Sequence, residues 1–238
     1  MDLLVVYSVG DMYKEYRNSD LSRKSQEVGI IFDVMVTGVT GAGKSTTLNT
    51  IFSKEVSKVG KGVEPETMET ESFRLNDSFR LWDSPGLGDG VAKDKEHSKK
   101  IVDLLYKDYD SNGQSYGFID LVLVIIEGSN RDMGTTYKLL NDVIVPNFQK
   151  ERVFVAINQA DMAMKGRYWC YDSNSPKFEL KQYLEEQASS IQRRVKEATG
   201  VDIIRPIYYS AEHNYNIEKL MDLFIDYMPK EKRTLVYV

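Results

Sequence analysis

The sequence has a single cysteine, Cys170, so no disulfide bond can form within the chain. One lone thiol is typical of a protein in a reducing compartment, and we expect a cytoplasmic location. The chain also lacks an apolar run of about 18 residues, the length that a membrane-spanning helix requires. The first residues, MDLLVVYSVGDMYKEY, have too short an apolar stretch for a signal peptide, and no basic segment precedes it.

Clusters of basic residues are missing as well. The net charge is −5, and no block of Lys and Arg stands out along the chain. Because a basic patch is the electrostatic mark of nucleic-acid binding, we expect neither DNA nor RNA as a partner. The composition, with 42% hydrophobic and 28% charged residues, is otherwise that of an ordinary globular protein.

The most informative stretch is residues 38–46, GVTGAGKST, which match the phosphate-binding pattern G-x-x-x-x-G-K-[ST]. An apolar run over residues 30–37 predicts a strand directly before it, and strand, loop and helix is the context that this pattern requires. Loops of this type turn successive backbone N–H groups toward an anion. We expect Gly41, Ala42 and Gly43 to line that concave surface.

The next residues have side chains suited to phosphate and metal. We expect Lys44 to bridge the β- and γ-phosphates of a nucleotide, and the Ser45 hydroxyl to hold Mg²⁺. Thr46 is predicted to reach the α-phosphate. The spacing of the apolar residues after Thr46 predicts a helix that begins at about Lys44, so that its positive end faces the phosphates.

A carboxylate follows the next pair of strands, which residues 72–75 and 79–82 are predicted to form as a hairpin. Asp83 and Gly86 fit the pattern D-x-x-G directly after the second strand. We expect Asp83 to hold the same Mg²⁺ through water. The N–H of Gly86 is expected to meet the γ-phosphate at a point where a side chain would collide.

A second polar set, Asn158-Gln159-Ala160-Asp161, follows a buried strand predicted over residues 152–157. Guanine presents two donors, N1–H and N2–H₂, which one carboxylate can accept together, and adenine offers no such pair. Asp161 is therefore predicted to select guanine. Asn158 is expected to tie this loop to the phosphate loop and to approach the edge of the base.

Apolar patterns predict the remaining elements. A near-continuous apolar run predicts a central parallel strand over residues 118–126, and a later strand is predicted over residues 203–209. Helices are predicted over residues 96–107, 135–145, 180–195 and 215–228.

Together these motifs resemble those of TRAFAC-class P-loop GTPases, with a pattern closest to the Era/TrmE-like GTP-binding proteins. The form G-x-T-G-A-G-K-S is also similar to immunity-related GTPases. The resemblance covers about residues 30–229 and implies an α/β fold with a doubly wound, mostly parallel six-stranded sheet. It divides the chain into an N-terminal helical extension (1–29), a GTPase domain (30–229) and a C-terminal tail (230–238).

The resemblance also implies an activity. The chain is expected to hydrolyse GTP to GDP and phosphate with Mg²⁺, and to act as a molecular switch with slow intrinsic turnover. Catalysis is assigned to Lys44, Gly86 and a threonine of the polar loop over residues 53–71, which would also bind Mg²⁺. Thr67 and Thr70 both qualify for this last role, and Thr67 is preferred.

At the base, the resemblance places Ser210 and Ala211 where their backbone N–H groups meet guanine O6. Gln159 occupies the position of a lysine whose stem lies over the base in relatives, and its amide is expected to stack there more weakly. Potassium-activated relatives carry Asn where this chain has Gly41, so that oxygen ligand for the cation is missing here.

One departure bears on hydrolysis. Ras-like relatives carry a glutamine after D-x-x-G that orients the attacking water, and Leu87 cannot do so. We expect an external activator or a GTP-dependent homodimer to supply the missing group, with residues near Arg131 and the aromatic cluster 167–171 as contributors. That cluster either packs on the following helix or faces a partner. The alternative function is a GTP-dependent assembly or membrane-associated protein with little hydrolysis of its own, and membrane association stays undecided.

Overall fold

The structure is a computed structural model that describes residues 13, 15–52, 72–129 and 133–235. The predicted loop over residues 53–71 and Arg131 lie outside the described residues. The strands are β1 Phe32–Gly38, β2 Ser72–Asn76, β3 Phe79–Asp83, β4 Asp108–Ser111, β5 Gln114–Gly117, β6 Leu121–Glu127, β7 Val153–Asn158, β8 Trp169–Cys170, β9 Ser175–Pro176 and β10 Ile207–Tyr208. The α-helices are α1 Asn18–Val28, α2 Lys44–Phe52, α3 Val91–Leu105, α4 Gly134–Lys138, α5 Phe178–Thr199 and α6 Ile217–Asp226.

Six of the strands form one sheet in the order β10-β7-β6-β1-β3-β2. Every neighbouring pair is parallel except β2 and β3, which form the predicted antiparallel hairpin. The predicted fold class, an α/β protein with a mostly parallel six-stranded sheet, is therefore confirmed. In such a sheet the carboxyl ends of the parallel strands share one edge, where ligands bind.

The central strands are buried on both faces. Even-numbered residues of β6 pack in one core with α3 and α5, and odd-numbered residues pack in a second core with α1, α2 and α6. All residues of β1 are buried as well. Continuous apolar runs are what strands covered on both sides require, which explains why the sequence identified β1, β6 and β7 so clearly.

The predicted helix over residues 135–145 is divided in the structure. After α4 the chain continues as a π-helix over Leu139–Ile144. The N–H of Val145 donates to the carbonyl oxygen of Leu140 at 2.8 Å, which is the spacing of a π-helical turn. The apolar residues of this turn are buried against the core that contains α3 and α5. An apolar period does not reveal this local widening.

Other boundaries differ from the predictions. The strand predicted over residues 203–209 pairs only at Ile207–Tyr208, because Pro206 before it has no N–H to donate to a neighbour. Helix α3 begins at Val91 rather than at residue 96. Asp94 in its first turn accepts hydrogen bonds from the N–H groups of Gly88 and Asp89, a polar start that an apolar pattern misses. The hairpins β4–β5 and β8–β9 were not predicted.

Both ends of the described chain contact the sheet domain. Arg17 donates hydrogen bonds to Asp222 at 2.8 Å and to Asp226 at 2.7 Å, which attaches the start of α1 to α6. Near the other end, the buried side chain of Arg233 donates to the carbonyl oxygens of Ile119 and Leu105, both at 2.6 Å.

The division into residues 1–29, 30–229 and 230–238 stays a prediction. Among the described helices, none has the length and apolar character needed to cross a membrane.

Candidate nucleotide-binding site

The predicted phosphate loop joins β1 to α2 at the carboxyl edge of the parallel sheet. Strand β1 ends at Gly38, and α2 begins at Lys44. Between them, Gly41 and Gly43 have φ angles of 86° and 83°, in the left-handed region that favours glycine. Because α2 begins directly after the loop, its positive end adjoins the loop, as an anion site requires. The N–H of Ala42 donates to the carbonyl oxygen of Val39 at 3.2 Å.

Lys44 folds back over this loop. Its Nζ donates hydrogen bonds to the carbonyl oxygens of Val39 at 3.2 Å and of Gly38 at 3.4 Å. Burial lowers the pKa of Lys44, and the negative charges of Asp83 and Asp89 act in the opposite direction. The ammonium group is thus held beside the loop by neutral carbonyl groups. The charged oxygens of an anionic ligand could replace these carbonyl groups as its partners.

The two predicted magnesium ligands in the described residues face each other. The Ser45 hydroxyl donates to Oδ2 of Asp83 at 3.3 Å. Hydroxyl, carboxylate and phosphate oxygens are the hard ligands that Mg²⁺ prefers, so these side chains fit the predicted ion. The third predicted ligand, Thr67, and its alternative Thr70 lie outside the described residues.

The turn after β3 runs against the phosphate loop. The N–H of Thr40 donates to the carbonyl oxygen of Leu87 at 2.8 Å, and the Leu87 side chain is only 2% exposed. A Cβ on Gly86 would lie 2.7 Å from Nζ of Lys44 and 2.9 Å from the Thr40 nitrogen. Any side chain at Gly86 would therefore displace the phosphate loop or its lysine. The expected collision with a γ-phosphate stays a prediction.

Asn158 links the phosphate loop to the base end of the site. Its Nδ2 donates to the carbonyl oxygens of Ala42 at 3.0 Å and Gly43 at 3.4 Å, and its Oδ1 accepts the N–H of Ala211 at 3.0 Å. The side chain is buried, and a Cβ on Gly43 would come within 2.3 Å of Nδ2. The structure thus contains the predicted tie between the two loops. The approach of Asn158 to the base edge stays a prediction.

Asp161 and Gln159 occupy the same loop as Asn158. Asp161 is 6% exposed, and its Oδ1 has no hydrogen-bond partner among the described residues. A buried oxygen in that state is costly unless a ligand supplies donors, so Asp161 can accept from a bound molecule. Gln159 has a φ of 59°, and its Nε2 donates to the carbonyl oxygen of Gly41 at 2.9 Å. Its amide therefore contacts the phosphate loop in this structure, a contact that the stacking expectation did not include.

Ser210 and Ala211 are buried and lie beside Asn158, so the structure brings the base and phosphate motifs together. Two hydroxyl groups of α2 fix this loop. Thr50 Oγ1 donates to the carbonyl oxygen of Ala211 at 3.0 Å, and Thr47 Oγ1 lies 2.8 Å from the Tyr209 hydroxyl. The helix that begins at the phosphate loop is thus also bonded to the base loop.

Neither of the two histidines of the chain was predicted to lie at this site, yet both do. Nδ1 of His97 on α3 donates to the carbonyl oxygen of Gly86 at 2.7 Å. Nε2 of His213 lies 3.7 Å from Oδ2 of Asp161. For His213 the sequence did contain a signal, because one of only two histidines in the chain stands three residues after Ser210.

Comparisons with known proteins agree with this geometry. Residues 33–159 match the family model described as 50S ribosome-binding GTPase. Among curated relatives, the uncharacterised protein YfjP of Escherichia coli is 30% identical over 131 residues, which are 54% of this chain and 41% of YfjP. Septin-8-B of Xenopus laevis is 30% identical over 95 residues, which are 37% of this chain and 22% of the septin. The chain therefore spans less than half the length of these relatives.

Solved structures share the fold at low sequence identity. Toc33 of Arabidopsis thaliana, in complex with Mg²⁺ and GMPPNP, gives a TM-score of 0.60 at 15% identity and covers 92% of this chain and 93% of its own. A structure of the chloroplast translocon components atToc33 and psToc159 gives 0.63 at 14% identity, with 96% and 95% covered. Era of Aquifex aeolicus, bound to GDP and AlF₄⁻, gives 0.50 at 16% identity, with 83% and 56% covered.

Two glycines of the phosphate loop provide a matched test of the Asn158 contact. Gly41→Ala adds a Cβ that meets nothing within 4 Å, so it should lower the free energy of unfolding only by the strain of its positive φ, about 1–2 kcal/mol. Gly43→Ala adds similar strain and also overlaps the buried Asn158 amide, so the loss should reach about 2–5 kcal/mol. Urea unfolding without nucleotide measures both. Equal losses would contradict the role given to Asn158.

Proposed function

The chain belongs to the family described as 50S ribosome-binding GTPase, and from this premise we propose that it is a guanine-selective switch that uses the site described above. Binding and hydrolysis of GTP follow from the family. The observation that carries the finer proposal is the buried Oδ1 of Asp161, which has no partner among the described residues and lies in a loop bonded to the phosphate loop. A single ligand that occupies both loops must carry hydrogen-bond donors for Asp161 and phosphates for the phosphate loop.

At the base end, Asp161 accepts N1–H and N2–H₂ of guanine. The N–H groups that were expected at O6 have other acceptors in this structure, because that of Ser210 donates to the carbonyl oxygen of Tyr215 and that of Ala211 to Oδ1 of Asn158, both at 3.0 Å. The base loop, which Asn158 and two threonines of α2 hold in place, therefore supports Asp161 by its position. Because the carboxylate is buried, its hydrogen bonds are stronger than they would be in water. Adenine would leave this carboxylate without matching donors, which disfavours ATP.

At the phosphate end, the N–H groups of Gly41 and Gly43 and the ammonium of Lys44 stabilise the charge that develops on the phosphates. The N–H of Ala42, the third predicted donor, is bonded to Val39 in this structure. Ser45, Asp83 and a threonine of the polar loop, Thr67 in preference to Thr70, would hold Mg²⁺. The bound ion would neutralise negative charge on the phosphates. The residues themselves position the nucleotide and exclude water from the buried side of the loop.

We propose that the segment from Pro85 to Gly90, which follows Asp83, changes its contacts with the nucleotide state. It already contacts the phosphate loop through the Thr40–Leu87 hydrogen bond, and Gly86 lies against Lys44. A γ-phosphate at Lys44 gives the Gly86 N–H a charged partner, and hydrolysis removes it. The segment therefore has two sets of contacts that depend on the nucleotide, which is how order in such segments is controlled.

Slow intrinsic turnover follows from Leu87. Its side chain is buried in the core that contains α3 and α5, so it faces away from the site and cannot hold the attacking water. The water must then be oriented by backbone, by the threonine of the polar loop, or by a group from another molecule. Burial of Leu87 excludes only its own side chain, and of the remaining sources we propose a group from another molecule.

A second candidate function, a GTP-dependent assembly protein, rests on the same buried leucine. For the chloroplast translocon components of similar fold, dimerisation is important for GTPase activity. In this chain a homodimer or an external activator would supply the missing group. We also propose a cytoplasmic location without a DNA or RNA partner. Association with a membrane stays undecided.

Base selection is tested by Asp161→Asn. The amide should weaken GTP binding by about 1.5–3 kcal/mol, the value of a hydrogen bond to a charged group. It should also raise the relative affinity for xanthosine triphosphate, whose additional carbonyl accepts from an amide. Calorimetric titration with both nucleotides measures this. Asp110→Asn, at an exposed carboxylate on β4 outside the base and phosphate loops, makes the same charge change and should leave both affinities unaltered.

The source of the missing catalytic group is tested by GTP turnover per molecule over a hundredfold range of protein concentration. A group supplied in trans contributes about 10³–10⁵ in rate in other GTPases, so self-association should make specific activity rise with concentration. Mass determination with GDP and with a non-hydrolysable GTP analogue should show a dimer only with the latter. Flat, slow turnover by a monomer would leave an external activator. Fast turnover by a strict monomer would contradict both sources.

A further inference from the structure

The insertion between Asp161 and Ser210 places a small aromatic hairpin beside the base loop. Strands β8 and β9 pair Trp169 with Pro176 and Cys170 with Ser175. Trp169 is 5% exposed and belongs to the core that contains α5, so the sequence expectation that this cluster packs on the following helix holds for Trp169. Tyr171 differs, because it is 72% exposed.

The hairpin holds one residue of the base loop in particular, His213. The imidazole lies 5.4 Å from the Trp169 ring at an interplanar angle of 35°, and 5.7 Å from the Tyr171 ring at 68°. Asn174, in the turn of the hairpin, donates to the carbonyl oxygen of His213 at 2.7 Å. The N–H of His213 itself donates to the Ser210 hydroxyl at 3.2 Å. Both the ring and the backbone of His213 are therefore fixed.

The fixed imidazole points one nitrogen at Asp161. Nε2 of His213 lies 3.7 Å from Oδ2, the side chain of His213 is 28% exposed, and that of Asp161 is 7% exposed. This distance is longer than a direct hydrogen bond. Polar contacts of this kind are often long without a ligand and shorten in the complex. The other oxygen, Oδ1, has no partner in the described part of the chain.

We propose that His213 is a positioning residue for guanine recognition, which acts by setting the rotation of the Asp161 carboxylate. Nε2–H faces Oδ2 from the side of the hairpin, so that the plane of the carboxylate presents acceptors to both N1–H and N2–H₂ of guanine. The β8–β9 hairpin is the support that keeps His213 in place. The inference rests on the proposed role of Asp161 and adds the group that orients it.

If His213 had only a structural role, its loss would have a different effect on nucleotide affinity. If His213 only stabilised the base loop, its loss would weaken every contact of that loop alike. Loss of the other anchor, the hydrogen bond from the Tyr13 hydroxyl to Asn214 at 2.5 Å, would then have the same effect. A rotated Asp161 carboxylate can still accept one hydrogen bond, from N1–H of guanine. Accepting a second bond, from N2–H₂, also requires the correct plane of the carboxylate, so loss of orientation should weaken the bond to N2–H₂ most.

The test compares GTP with inosine triphosphate, which lacks the N2 amino group, and with tripolyphosphate, which lacks the base. Calorimetric titrations with Mg²⁺ would be made on the wild-type chain and on His213→Phe, which keeps a ring and loses the donor. His213→Gln keeps a donor at similar reach. Tyr13→Phe loosens the same loop without touching His213. His213→Ala also removes the donor and gives the same test if the phenylalanine variant fails to fold.

We expect His213→Phe to lose about tenfold in GTP affinity, the equivalent of one hydrogen bond to a charged group, and most of its preference for GTP over inosine triphosphate. His213→Gln should keep that preference, and tripolyphosphate should bind all variants alike. A wild-type preference for GTP in His213→Phe, or an equal loss of preference in Tyr13→Phe, would overturn the inference alone. A wild-type chain without preference for GTP over inosine triphosphate would instead overturn the proposed role of Asp161.

Discussion

The site depends on the hydrogen bonds of one buried amide, that of Asn158. It donates to the carbonyl oxygens of Ala42 and Gly43 and accepts from the N–H of Ala211, so a single side chain joins the phosphate loop to the base loop. Each of these backbone groups would cost about 1–3 kcal/mol if it were left buried and unpaired. The separation between the phosphate and base ends is therefore set by the protein before any nucleotide arrives. This rigidity reduces the ordering cost of binding.

The sheet determines which residues can take part in this link. Strands β1, β3, β6 and β7 are parallel, so their carboxyl ends lie along one edge, and β10 brings the base loop to the end of β7. The base loop is bonded to α2 through Thr47 and Thr50, whereas the segment at Gly86 contacts the phosphate loop mainly through backbone groups. The proposed switch would use this difference, because the base must stay bound while contacts at the γ-phosphate change.

Residues tied to a local chemical pattern could be predicted from the sequence. The phosphate loop, Asp83, the Asn158–Asp161 set and the buried strands have signals in spacing or in apolar runs, and the structure brings them together. The contacts of His97 and His213 could not be found in this way. Each depends on a partner distant in sequence, and one histidine in a helix or loop has no pattern of its own. The π-turn at Leu139–Ile144 was missed because apolar periodicity does not report the local hydrogen-bond spacing. Strand β10 was predicted in the right place but too long, because the apolar run continues across Pro206, which cannot donate a hydrogen bond to a neighbouring strand.

The most direct test of this account is the affinity of Asn158→Ala for tripolyphosphate, a ligand that has phosphates and no base. Asn158 lies in the base motif, yet its Nδ2 holds the carbonyl groups of the phosphate loop. The account predicts that the alanine variant, with its folding verified by thermal unfolding, binds tripolyphosphate at least about tenfold more weakly than the wild-type chain, the equivalent of losing one hydrogen bond. A folded variant that keeps wild-type affinity for tripolyphosphate and loses only affinity for GTP would show that the two loops act separately and would contradict the account.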